Sequence, residues 1–337
     1  MKTHFTLASL VVAVALALAG CSADEQSTAE NTTPTITEAT SQPIAETEAT
    51  SDEAVAAAFG TFLDENYAID MERYPLSATY RGIKTNQDKW NSAAESFRQE
   101  TRAINETRLQ QLAEFDRKAL DAADQLSYDL YKLGLERALI SDDFRYHRFV
   151  IHQHGGPHTS VASSLINILR VSELKDAQDY IARLNNVGIW FDQVIEQMEI
   201  RTRENFLLAD WQYPPIIESS KNVITGAPYD ESGEDSTLWA DFKAKVAALD
   251  VDEATRKTLL AEARTALTEV VKPAYLRLIA ALEQQAENAP DADGVWKFKD
   301  GDKFYAQRLN WYTTTDLSAD EVHAIGLREV ERIHAEM

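Results

Sequence analysis

From Asp52 to Met337 the apolar residues recur at spacings of three and four, and stretches of strict alternation are scarce. Positions three and four apart share one face of a helix, so this chain is predicted to be mainly α, a large multi-helix assembly. The clearest stripe is Leu260, Ala263, Leu267, Val270, Ala274, Leu278 and Leu282, which predicts one long amphipathic helix over 252–287, bent at Pro273. A second helix is expected over 93–120. A third, over 125–144, carries Leu126, Tyr128, Leu130, Tyr131, Leu133 and Leu135 on nearly all sides and therefore reads as buried. A further helical stretch covers 177–203, with breaks near Asn185-Asn186 and Gly188. Tyr213-Pro214-Pro215 reads as a helix stop, and 225–228 and 288–301 read as loops. Ser318-Ala319-Asp320-Glu321 is a capping box that opens a last helix through Val322, Ile325, Leu327, Val330 and Ile333. No stop signal follows it, which leads to the expectation that the helical region is truncated at its C-terminus.

The region ahead of the helices has a different composition. Lys2 and His4 precede an uncharged apolar run over 5–19, which leads into Leu18-Ala19-Gly20-Cys21. The run is shorter than the ~20 residues of a spanning helix and ends in a lipobox, so residues 1–20 are expected to be a lipoprotein signal peptide. Cys21, the only cysteine, would carry a thioether-linked diacylglycerol and hold the protein to the membrane through that lipid. Ser22 behind it points to the outer membrane, facing the periplasm, if the cell is Gram-negative. Residues 21–53 are rich in Ser, Thr, Ala and Glu, with eight acids and no Lys or Arg, and are expected to form a disordered tether. The helical domain is then 54–337.

Charge narrows the function. The chain carries a net −22, and with Lys2 and the eight tether acids set aside, residues 54–337 still carry −15. Nucleic acid is excluded as a partner, because phosphate backbones are bound through clustered Lys and Arg. The phosphate-cradling patterns G-x-G-x-x-G and G-x-x-x-x-G-K-[ST] are absent, as are His-Glu-x-x-His and G-x-S-x-G. The six tryptophans are scattered, and core positions are expected for them rather than a ligand box. One segment concentrates chemistry: His152, His154, Gly155, Gly156 and His158, with Gln153 and Pro157 between them. It reads as a metal site, a substrate-lining loop or a plain turn. A second pair of ligands at regular spacing is missing, which weighs against the metal.

Several short motifs together resemble one family. They are Arg73-Tyr74-Pro75 with Gly82-Ile83, the 153–157 loop, Tyr180-Ile181-Ala182-Arg183-Leu184, Pro214-Pro215, Tyr312-Thr313-Thr314-Thr315-Asp316-Leu317, and Glu321-Val322-His323-Ala324-Ile325-Gly326-Leu327. The chain over 54–337 is similar to the bacterial family catalogued as domain of unknown function 885. Its members are often lipoproteins, are mostly helical and resemble zincin-type zinc peptidases. The resemblance implies the N-terminal, cleft-forming half of a lipid-anchored zinc-dependent peptidase acting on peptides. The family's zinc segment, a His-Glu motif followed by Pro-Gly-His, lies downstream of the part matched here. No catalytic or zinc residue is therefore carried onto this sequence, zinc is expected only in a full-length homologue, and the chain alone is expected to be inactive. The alternative is a non-catalytic peptide-binding or scaffold lipoprotein of the cell envelope. The substrate-cleft candidates are His152, His154, Gly155, Gly156 and His158.

Overall fold

A computed structural model describes residues 51–337, so the signal peptide, Cys21 and the tether up to residue 50 lie outside the described residues, while positions 51–53, expected to be the end of the disordered tether, belong to the first helix. The fold is mainly α, with helices α1 (Ser51–Arg73), α2 (Pro75–Tyr80), α3 (Glu95–Leu112), α4 (Ala122–Asp143), α5 (Pro157–Asn167), α6 (Leu174–Asn185) and α7 (Val187–Arg203) in its first part. They are followed by α8 (Tyr213–Val223), α9 (Thr237–Ala247), α10 (Glu253–Ala266), α11 (Lys272–Ala286), α12 (Gly301–Thr313) and α13 (Ala319–Glu336). No helix among the described residues is long and apolar enough to cross a membrane.

Local sequence explains most helix starts. Asp121 caps α4 by accepting from the backbone N–H of Ala123 and Asp124, each at 2.9 Å, and Asp252 caps α10 by accepting from Thr255 N–H at 2.6 Å. The capping box of Ser318 and Glu321 is formed at the start of α13. Tyr213-Pro214-Pro215 is the start of α8 and not a helix stop. The first-turn N–H groups of a helix have no intrahelical acceptor, so prolines there sacrifice nothing.

Two apolar cores hold the helices. The larger joins α5 to α11, with Leu165, Tyr180, Phe191, Ile216, Phe242 and Leu278 all wholly buried. The smaller joins α1, α3 and α4 through Phe59, Leu112 and Leu120, against which Phe115 and Tyr128 pack. Trp90 bridges toward the larger core: its ring stacks on Trp190 at 4.5 Å, and its Nε1–H donates to the Arg183 carbonyl at 2.8 Å. Trp239 is buried too, but Trp211 and Trp296 are 50% and 78% exposed, so the expectation of core tryptophans fails for these two.

The long helix over 252–287 is continuous but not uniform. A π turn at Leu267–Val271 separates α10 from α11 and comes just ahead of Pro273, which lies in the first turn of α11. The buried positions include Leu259, Ala263, Leu267, Val271, Tyr275 and Ile279, an unbroken series of fours. At 3.6 residues per turn each step of four drifts by about 40°, and the wider π turn takes up part of the accumulated excess.

α4 departs most from expectation. Only Leu135 and Ser141 are buried on it, while Leu126 and Leu130 are each 59% exposed and Leu133 is 41% exposed. The helix packs on α3 by one face and leaves its apolar outer face to solvent. Replacing Leu135 by Ala is expected to cost about 2–5 kcal/mol, whereas Leu130→Ala should stay within about 0.5 kcal/mol of the parent. Urea unfolding midpoints of the two variants check the assignment of faces.

Candidate functional site

After α4 the chain turns through a 3₁₀ segment at Arg145–His147 and becomes extended at Arg148. The tie that fixes this segment comes from α7. Arg201, 7% exposed, donates from Nε to the Arg148 carbonyl at 3.1 Å and from Nη2 to the Arg145 carbonyl at 2.9 Å. Its Nη1 donates within α7 to the Gln197 carbonyl at 2.9 Å. Burial pushes the Arg201 pKa down to about 10, and it remains a cation at neutral pH. His147 is set in place alongside, packed against Phe206 and Phe304, with Nε2–H donating to the Lys299 carbonyl at 2.8 Å.

The segment closes one side of a cavity of about 580 Å³ between α3, α4 and α7, with Trp311 of α12 also in its lining. Tyr74, Phe97 and Phe149 supply aromatic surface, and Gln197 and Ser141 supply polar groups. Five arginines line it: Arg98, Arg102, Arg145, Arg148 and Arg201. Arg98 clasps Asp142 with Nη1 at 2.8 and 2.6 Å and pairs with Glu95 at 2.8 Å, and Arg102 reaches Asp142 and Asp143, each at 2.9 Å. Burial alone would raise the Asp142 carboxyl pKa, but the two guanidinium bonds outweigh it and hold that pKa below the ordinary range. Arg145 lies over the Tyr146 ring at 4.3 Å, donates to its hydroxyl at 2.7 Å and stands 3.7 Å from Glu95. Arg148 is exposed, and its guanidinium has no hydrogen bond or ion pair among the described residues. Beside the cavity, Trp311 is flanked by Arg137 at 5.0 Å and Arg308 at 5.1 Å.

The expected cleft loop lies next to this cavity and not in its lining. His152 and Gly155 exchange backbone hydrogen bonds at 3.0 Å, which folds the segment into a tight turn. His152 and His154 face solvent with ring centroids 6.2 Å apart, while His158 is buried at the start of α5. Gly156 has φ 146°, and a Cβ there would come within 3.0 Å of Ile151 Cα and of the Val150 carbonyl oxygen. The loop therefore braces Val150, a cavity residue, by close backbone approach. Among the described residues no group of three or more His, Cys, Asp or Glu is placed to hold a metal ion. The arginines went unnoticed in the sequence, although the Arg145-Tyr146-His147-Arg148 run between Phe144 and Phe149 is a local basic island in an acidic chain.

Burial drives the His158 pKa down to about 4, helped by the neighbouring His152. The folded protein then binds fewer protons than the unfolded chain between about pH 4 and 6.5, so this histidine makes stability fall as pH drops through that window, by up to roughly 3 kcal/mol. Glu95 and Asp142 have lowered pKa values, and the stability they contribute is lost only at more acidic pH. His158→Gln is expected to flatten the pH dependence of the unfolding free energy above about pH 4.5. A slope unchanged from the parent would show that His158 accepts its proton in the folded state.

A family profile described as bacterial protein of unknown function (DUF885) matches residues 75–337. Among solved structures, that of a candidate lipoprotein from Colwellia psychrerythraea matches with a TM-score of 0.69 at 20% identity, over 84% of this chain and 49% of that one. The likeness is one of fold, and this chain spans about half the length of that relative. None of the curated proteins compared with the chain matches it.

Proposed function

The chain belongs to the bacterial DUF885 family, and on that premise we propose that it forms the N-terminal, cleft-forming part of a lipid-anchored, zinc-dependent peptidase. The observation that carries this reading is the cavity of about 580 Å³ between α3, α4 and α7, which combines aromatic walls with fixed polar groups. That mixture suits a short peptide: apolar surface takes side chains, and a few placed donors orient the backbone. In this reading the chain's own residues bind and orient the peptide. The metal that would polarise the scissile carbonyl and acidify water belongs to a segment that these residues do not supply.

Exposed apolar surface supports a division of this kind. α13 buries no residue, and Leu327 and Val330 are 60% and 52% exposed. With the outer face of α4, this surface is the seat proposed for the zinc-bearing half, consistent with a relative of about twice the length. Anchoring through lipid on Cys21, in the outer membrane of a Gram-negative cell, completes the proposal and rests on the lipobox alone. The lack of a metal-ligating group among the described residues favours a second reading, a non-catalytic peptide-binding lipoprotein.

The purified chain is expected to bind short peptides and to cleave none, checked by titration calorimetry and by mass spectrometry of the incubated peptides. Cleavage accompanied by stoichiometric zinc would overturn the division of labour. Joining the chain to the zinc-bearing segment of a full-length family member should confer turnover, and a chimera that binds zinc yet cleaves nothing would leave the non-catalytic reading standing.

A further inference from the structure

An arginine cluster on a protein of net charge −22 calls for an explanation, because general acidity works against anionic partners everywhere else on the surface. The five cavity arginines are not equivalent. Arg98 and Arg102 are spent on Glu95, Asp142 and Asp143. Arg201 is held by backbone carbonyls and cannot swing toward a ligand, so it contributes field rather than contact. Arg145 is held over Tyr146, and its buried Nε has no acceptor. Arg148 alone combines a place in the cavity lining with a guanidinium that meets no acceptor and no carboxylate among the described residues. Nearby, Ser141 Oγ is buried without a hydrogen-bond partner.

We propose that this cavity is a carboxylate-binding site in which the Arg148 guanidinium takes the anion, making peptides with a free carboxylate the preferred ligands. The planar fork of an arginine matches the two oxygens of a carboxylate, and such paired, charge-assisted bonds are stronger than neutral ones. Arg145 and Arg201 strengthen the attraction without competing for the ligand, since both are fixed by their own hydrogen bonds. The concave shape favours the end or side chain of a small ligand over a flat anionic surface, and Tyr74, Phe97 and Phe149 offer apolar contact to the rest of a peptide. The inference rests on the peptide-cleft reading given above and sharpens it to a ligand class.

The test uses the full chain and three probes: N-acetyl-Phe-Ala-Ala with a free C-terminus, its C-terminal amide, and the amide of N-acetyl-Phe-Ala-Glu. Calorimetry should show the first or the third binding at least about tenfold more tightly than the neutral amide, and which of them binds identifies the carboxylate as terminal or side-chain. Arg148→Ala should abolish that preference, and Arg148→Lys should restore part of it by keeping the charge without the fork. Because Arg148 makes no side-chain contact that folding depends on, both variants should keep the parent's thermal midpoint. Equal affinity for all three peptides, or a preference that survives Arg148→Ala, would overturn the carboxylate site while leaving the peptide cleft intact. Absence of binding by every peptide would overturn both, as would Arg148-dependent binding to phosphatidylglycerol vesicles in its place.

Discussion

The buried guanidinium of Arg201 is the tie on which the site's arrangement depends. A charge taken out of water needs dense compensation, and here it comes from the carbonyls of Arg145, Arg148 and Gln197 and not from a carboxylate. The arrangement works in two directions. It solvates the cation with backbone dipoles, and it fixes one of the stretches of chain that pass between the small core of α1, α3 and α4 and the large core of α5 to α11, the other being the stretch from α2 to α3 that carries Trp90. The cavity is a by-product of that passage, because the fixed segment spans the space that α3, α4 and α7 do not fill.

The other charged pairs have a different economy. The Arg98 and Arg102 contacts with Asp142 are partly screened at the cavity wall, so they organise geometry more than they stabilise the fold. Arg183, wholly buried between α2 and α6 with Nη2 on Thr79 Oγ1 at 3.0 Å and the Trp90 ring 5.3 Å away, is compensated less completely than Arg201, because its Nε and Nη1 meet no acceptor. Burial pushes the Arg183 pKa down to about 10 against the opposing pull of Asp88 and Asp179, so it too remains a cation at neutral pH.

Helix positions were legible in part from local signals: Ser318 with Glu321 announces the last helix by side-chain capping, a contact completed within four residues, whereas the caps Asp121 and Ser236 were passed over and Tyr213-Pro214-Pro215 marks a start where a stop was expected. Which face of a helix meets the core was less legible, because that depends on partners distant in sequence. Leu126 and Leu130 look like core by composition and stand in solvent, since only one face of α4 meets α3. The histidine loop drew attention by residue type, yet Gly156 serves backbone approach to Val150 and Ile151 and His158 turns inward. The arginines escaped notice because they come from α3, α7 and the Arg145–Arg148 segment, which no sequence window brings together. Tertiary proximity alone makes them a cluster.

The π turn at Leu267–Val271 gives the long helix two registers. One residue more than the α-helical repeat is stored at its middle, so the faces of α10 and α11 are related by an offset of about 100°, the angle of a single residue, and not by simple continuation. Tyr275, just past the turn, donates from its hydroxyl to the His158 carbonyl at 2.6 Å and so ties the second register to the start of α5. Deleting one residue from this turn would return the helix to a single α register and rotate the side chains of α11 by about 100° relative to those of α10.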